Sequence, residues 1–163
     1  MNCGADFYLQ KGGDPCVEFG QLSNLELDQC LDHLKVYADP MLVKVFHNII
    51  EDSVKYGGKP LKVKIGCTMK GRSLLMVYED FGPGILTEEK EKIFEMGFGK
   101  GIGLGLHLSR EILSITDITV RETGEQGKGV RFEIEVPEGN FRFDNESDEA
   151  SGEISVPLSL NEL

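Results

Sequence analysis

Basic residues are scarce in this chain. Lys and Arg number 17 against 28 Asp and Glu, a net charge of −11. Nucleic-acid binding needs clustered Lys and Arg to neutralise phosphates, so this balance excludes a nucleic-acid partner. Long apolar runs are also missing, and no membrane contact is expected of this segment. The opening Met1-Asn2-Cys3-Gly4-Ala5-Asp6 has neither the basic nor the apolar stretch of a signal peptide, so a cytoplasmic location is expected. Cys3, Cys16, Cys30 and Cys67 show no C-x-x-C spacing. That excludes a zinc site built on paired cysteines and leads to the expectation of separate reduced thiols. No Gly-Lys-Ser/Thr ends a glycine loop, so there is no Walker loop. No strand leads directly into a G-x-G-x-x-G, so there is no dinucleotide fingerprint.

What is present is an ordinary globular composition, 40% hydrophobic and 28% charged, over 163 residues. That length suits one domain, or one domain with a tail. Residues 1–33 are poorly assigned, with a turn signal at Gly12-Gly13-Asp14-Pro15 and a short strand at Val17 to Phe19. Residues 34–139 read as the domain. Residues 140–163 read as an acidic, flexible tail: from Glu138 onward seven acids stand against Arg142 alone. Residues 145–152 are small and acidic and bury little, and Ile154 to Leu163, partly apolar, is open to docking as a strand but is expected to be loose.

Within the domain the periodicities are clearer. Leu34 to Ala38 reads as a strand. Asp39-Pro40 reads as a helix start, with Asp at the cap and Pro at the first helical position. Leu42, Val45, Phe46, Ile49, Ile50 and Ser53 then recur at helical spacing until Gly57-Gly58. Asn48, Asp52 and Lys55 form a polar stripe beside that buried face. Lys62 to Cys67 and Leu74 to Tyr78 alternate as a hairpin around Lys70-Gly71-Arg72. Glu88 to Phe94 reads as a short helix capped by Thr87, and Gly103 to Leu113 as a longer one. Ile118 to Val120 and Val130 to Val136 read as strands joined by the Gly124–Gly129 turn. This order gives an α+β fold, a two-layer sandwich with helices on one face of a mixed, mostly antiparallel sheet.

Three motifs carry chemistry. Asp80-Phe81-Gly82-Pro83-Gly84 ends a strand. Its carboxylate can accept a bond from an adenine amine while the glycines let a ring approach the main chain, although the same residues also make a plain surface turn. Lys100-Gly101-Ile102-Gly103-Leu104-Gly105-Leu106 opens a helix, and free N–H groups there suit a phosphate; a flexible loop is the alternative. Asn48 and Asp52 offer the oxygen ligands that Mg²⁺ prefers, with Lys55 beside them for a phosphate; the alternative is a solvated helix face. Each signal alone is weak, but their order describes one nucleotide pocket.

Together these residues resemble the ATP-binding catalytic domain of sensor histidine kinases, in the superfamily that includes gyrase, the ninety-kilodalton heat-shock chaperone and the mismatch-repair ATPases. Asn48 to Tyr56 matches the family's asparagine box, Asp80 to Gly84 its first glycine box, Lys92-Ile93-Phe94 its phenylalanine box, and Gly101 to Leu106 its second glycine box. The resemblance implies a Bergerat-type ATP-binding fold with ATP and Mg²⁺ as cofactors. It implies that Asp80 reads the adenine amine, Tyr56 packs on the ring and Lys55 reaches the phosphates. Asn48 and Asp52 would ligate the metal, Gly82, Gly84 and Ile85 would line the base, and Lys100, Gly101, Gly103, Leu104, Gly105 and Leu106 would form a lid. It implies γ-phosphoryl transfer, in two-component signalling, to a histidine on a dimerisation hairpin in cis or in trans, with a response regulator downstream. Two departures stand out. Asp52 replaces an asparagine, which keeps a non-catalytic nucleotide-binding module open as the alternative. His33, His47 and His107 do not head a phosphoacceptor motif, so no catalytic residue is identifiable within the chain. A glutamate that would activate water is replaced by Asn48.

Overall fold

The computed structural model describes residues 5–9, 22–58, 61–99, 104–144 and 156–158. Its strands are β1 (Ala5–Leu9), β2 (Leu22–Leu27), β3 (Leu34–Ala38), β4 (Leu61–Lys70), β5 (Ser73–Asp80), β6 (Thr119–Glu122), β7 (Arg131–Val136), β8 (Phe141–Phe143) and β9 (Val156–Leu158). Its helices are α1 (Leu42–Tyr56) and α2 (Gly105–Ser114). Five strands form a mixed sheet in the order β2-β4-β5-β7-β6, antiparallel except for the β2–β4 pair. The α+β sandwich expected from the sequence is therefore present.

Alternation builds the core. Every second residue of β7 is buried, with Phe132, Ile134 and Val136 turned toward the helices. They join Val63, Ile65, Leu74, Met76 and Tyr78 of the hairpin and Val45, Phe46, Ile49 and Ile50 of α1 in one cluster. Each such side chain contributes about 1.5–3 kcal/mol by leaving water. The opposite face carries ion pairs, Lys70–Glu135 at 2.8 Å, Arg131–Glu133 at 3.3 Å and Arg131–Glu79 at 3.7 Å. Those solvated pairs stabilise little individually but keep the open face polar.

Several expectations are corrected. Helix α1 begins at Leu42, with Met41 rather than Asp39 at its cap position. Asp39 Oδ1 instead accepts a bond from the Met41 N–H at 2.8 Å and its carbonyl accepts from Leu42 N at 2.9 Å, so a tight turn precedes the helix. The expected helix from Glu88 to Phe94 is two 3-10 turns, Thr87–Glu89 and Lys92–Phe94, and Thr87 caps neither. Its anchors are tertiary: the Lys90 ammonium reaches Glu122 and the Gly124 carbonyl, while Phe94 is buried edge-on against Phe132 at 6.2 Å. Cys30 and Cys67, expected as separate thiols, are joined in a disulfide. The parallel β2–β4 pairing sets the Gln29–Leu31 turn over β4, with Asp28 N donating to the Ile65 carbonyl at 2.9 Å.

The ends of the chain form a second sheet, ordered β8-β3-β1-β9, that sequence patterning does not announce. Val156–Leu158, expected to be loose, runs parallel to Phe7–Leu9. The expected turn at residues 12–15, the strand at 17–19 and the connector at 145–152 lie outside the described residues.

The β6–β7 turn is held from both ends. The fully buried Glu122 carboxylate accepts from Gly124 N at 2.9 Å and Arg131 N at 3.0 Å. Gly127 N donates to the Pro83 carbonyl at 2.7 Å. Gly129, at φ +113°, runs so close to β5 that a Cβ there would collide with the Asp80 carbonyl. Gly129→Ala is expected to destabilise by at least about 2 kcal/mol, from strain and overlap together. Gly127→Ala, at φ +87° in open space, should cost about 1 kcal/mol. Urea unfolding midpoints of the two variants check this; equal losses would contradict the close approach.

Candidate functional site

A cavity of about 700 Å³ opens between α1, the end of β5 and the start of α2. That volume suits a nucleotide-sized ligand. The polar stripe read along α1 lines one wall, with Asn48, Asp52, Lys55 and Tyr56 all present. Asp80, Gly84 and Ile85 line the inner end, and Leu104, Gly105 and Leu106 line the wall opposite α1. Gly82 is not in the lining. It packs beneath, where a Cβ would collide with the Gly57 carbonyl at the end of α1, so this glycine lets the β5 turn close on the helix. Lys100, Gly101 and Gly103 lie outside the described residues.

Asp80 sits at the inner end and is only 4% exposed. Among the described residues, the groups bonded to its carboxylate are all donors. Oδ1 accepts from Gly82 N at 3.1 Å and Val130 N at 3.0 Å, and Oδ2 accepts from the Ser53 hydroxyl at 2.8 Å. The buried Tyr78 hydroxyl donates in turn to Ser53 Oγ at 2.9 Å. Burial raises the Tyr78 pKa, so this hydroxyl keeps its proton.

Asn48 joins the two helices. Its amide donates to the Gly105 carbonyl at 2.9 Å and to Ser109 Oγ at 3.1 Å. Both amide hydrogens are thereby used, and Oδ1 is left as the side chain's acceptor. One turn later Asp52 lines the cavity with its pKa pushed up to about 6, chiefly by burial and against the pull of Lys55. Lys55 is paired with Glu51 at 2.8 Å, which holds the Glu51 carboxyl below its usual range and raises the Lys55 ammonium. Among the described residues the cavity wall carries Glu51, Asp52, Asp80 and Glu89 against Lys44 and Lys55. A polyanion entering this cavity therefore needs a cation with it.

Sequence reasoning did not single out Ser53, Val130, Phe132 or Lys44 as lining residues, yet all four line the cavity. For Ser53 a signal existed, a hydroxyl set in a face otherwise made of Leu, Val, Phe and Ile. Val130 and Phe132 belong to β7 and its approach, and nothing local in the sequence pairs them with Asp80. The segment between β5 and α2 covers the cavity with Leu86, Ile93 and Phe98. Arg110 of α2 lies 3.9 Å over the Phe94 ring and pairs with Glu91 at 3.2 Å, tying that segment to α2.

The chain is similar to sensor proteins of known family. It is 28% identical over 123 residues to sensor protein KdpD of Escherichia coli, covering 71% of this chain and 14% of that protein. It is 30% identical over 114 residues to sensor protein CiaH of Streptococcus pneumoniae, covering 64% of this chain and 26% of that one. The chain thus spans only 14% and 26% of the length of these relatives. Among solved structures it resembles the catalytic domain of histidine kinase ThkA, with TM-score 0.63 and 26% identity over 76% of this chain and 89% of that domain. ThkA has also been solved in complex with its response regulator protein TrrA, where the match has TM-score 0.59 and 23% identity over 77% of this chain and 36% of that one. The model of the histidine kinase-, DNA gyrase B- and HSP90-like ATPases matches residues 38–140, and the chain belongs to that ATP-binding family.

Proposed function

We propose that this chain is the catalytic domain of a sensor histidine kinase, and that it passes the γ-phosphoryl group of Mg-ATP to a histidine on a hairpin carried by another domain or chain. The observation that carries this is the convergence of the Asn48 stripe, the Asp80 turn and the Leu104–Leu106 segment on one cavity. On this proposal the partners are that hairpin and a response regulator downstream, and the setting is the cytoplasm.

The residues divide the work by position. Asp80 holds the adenine amine at the inner end, where Ser53, Gly82 N and Val130 N already donate to it. Tyr56, half exposed at the end of α1, packs on the base. Lys55 leaves Glu51 for the phosphates, an exchange of one anion for another. Phosphoryl transfer asks chiefly for positioning and charge neutralisation; the described residues position the nucleotide, and a cation that enters with it would supply the neutralisation that their net-negative wall does not.

The donor set fits Mg²⁺. Asn48 presents a carbonyl oxygen because its amide is spent on α2, and Asp52 presents a carboxylate one turn on. Hard oxygen ligands few in number, completed by phosphates and water, are what this ion takes. When bound it would offset the negative charge of the triphosphate.

Asp52 favours a second reading, a nucleotide-binding module without transfer, since a carboxylate there repels the triphosphate unless a metal lies between them. Calorimetric titration separates the two. The kinase proposal predicts ATP binding that weakens at least tenfold when Mg²⁺ is chelated and that exceeds GTP binding. Binding absent from the wild type and restored in Asp52→Asn would favour the module. Transfer to an added histidine-bearing hairpin, followed with γ-labelled ATP, tests the catalytic step.

Two further outcomes are expected. Asp80→Asn should lower ATP affinity by about tenfold or more with an unchanged circular dichroism spectrum; unaltered affinity would remove Asp80 from the site. Asp52→Asn should stabilise the nucleotide-free protein at neutral pH. The native carboxyl titrates near 6 and the unfolded one near 3.8. The wild type therefore loses stability as pH rises through that window. The advantage of the variant should shrink as pH falls from 7 toward 4, and a constant difference in thermal midpoint would contradict it.

A further inference from the structure

The Asp80 carboxylate has about four acceptor positions, and three of them are filled by protein donors. Both positions on Oδ1 are taken by Gly82 N and Val130 N, so the open one is on Oδ2, beside the Ser53 hydroxyl. Ser53 lies on the buried face of α1 and is 3% exposed. A serine within a helix ordinarily bonds back to a carbonyl of its own turn. Ser109 and Ser114 of α2 do so, at 2.8 Å to Gly105 and 2.7 Å to Glu111. Ser53 does not. Its one proton goes to Asp80, in the next strand but one, and its oxygen is occupied by the Tyr78 hydroxyl. Tyr78 has no exposure at all. Among the described residues the Tyr78 hydroxyl bonds Ser53 alone, so the three groups donate in a single direction, Tyr78 to Ser53 to Asp80.

We infer that Ser53, oriented by Tyr78, is a positioning residue that sets purine selectivity by pinning Asp80 so that a single acceptor position faces the base. A base that presents an amino group at its six-position completes the set. A base that presents a carbonyl there places an acceptor against an acceptor. This rests on the proposal that the cavity binds ATP. Ser53 itself need not touch the nucleotide.

The test pairs side-chain truncation with ligand truncation. ATP and the triphosphate of unsubstituted purine riboside, which lacks only the amino group, are titrated in the presence of Mg²⁺ into the wild type, Ser53→Ala, Ser53→Thr and Tyr78→Phe. The wild type is expected to prefer ATP by about tenfold or more. Ser53→Ala should lose most of that preference because ATP affinity falls several-fold while analogue affinity changes little. Ser53→Thr, which keeps the hydroxyl, should retain the preference, and Tyr78→Phe should lose part of it. A merely structural role would weaken both ligands alike, so Ser53→Ala with the wild-type ratio overturns the inference and leaves the nucleotide proposal standing. A wild type that binds neither ligand overturns both. Tyr78→Phe alters no residue of α1, and a wild-type ratio in that variant contradicts the relay even if Ser53→Ala does not fold.

Discussion

The bonds that converge on the Asp80 carboxylate hold the site together. Ser53 reaches it from α1, Gly82 from the turn after β5, and Val130 from the approach to β7. Three stretches of chain far apart in sequence are thereby tied at one buried point. A buried acceptor without donors is costly, so any arrangement that separated these stretches would leave the carboxylate or the backbone amides unmet. The cavity's inner end is consequently shaped by hydrogen bonding as much as by apolar packing.

The outer parts follow from that anchor. A second buried carboxylate, Glu122, gathers Gly124 N, Arg131 N and the Lys90 ammonium. It thus fixes the β6–β7 turn and the segment covering the cavity relative to the same strands. Asn48 performs the corresponding task between the helices by bonding Gly105 and Ser109 of α2. The wall around Lys55 is more exposed, with Lys55 paired to Glu51. A densely hydrogen-bonded inner end and a more exposed mouth fit the proposed division between base recognition and phosphate handling.

Legibility in the sequence followed the range of the interactions. α1, the β4–β5 hairpin and β7 were readable because each buries residues at a regular spacing, and the hairpin turn carries Gly71. The stripe of Asn48, Asp52 and Lys55 was readable for the same reason. The two 3-10 turns were misread as a helix because Lys90 and Phe94 are placed by partners in β6 and β7 that lie well downstream. The start of α1 was misread by two residues because Asp39 caps a turn with nearly the signature of a helix cap. The Cys30–Cys67 pairing and the β8-β3-β1-β9 sheet depend on strand pairing across the chain, which no local pattern encodes. Ser53 was legible as buried but not as functional, since its partner Asp80 belongs to a separate motif.

On the proposed function, these separated segments enclose one purine triphosphate. Amide chemical-shift changes in isotopically labelled protein, on addition of Mg²⁺ with a non-hydrolysable ATP analogue, test it most directly. The largest shifts are expected at Gly82, Val130, the second half of α1 and Leu104 to Leu106. Shifts absent from those segments, or confined to the β8-β3-β1-β9 sheet, would contradict it.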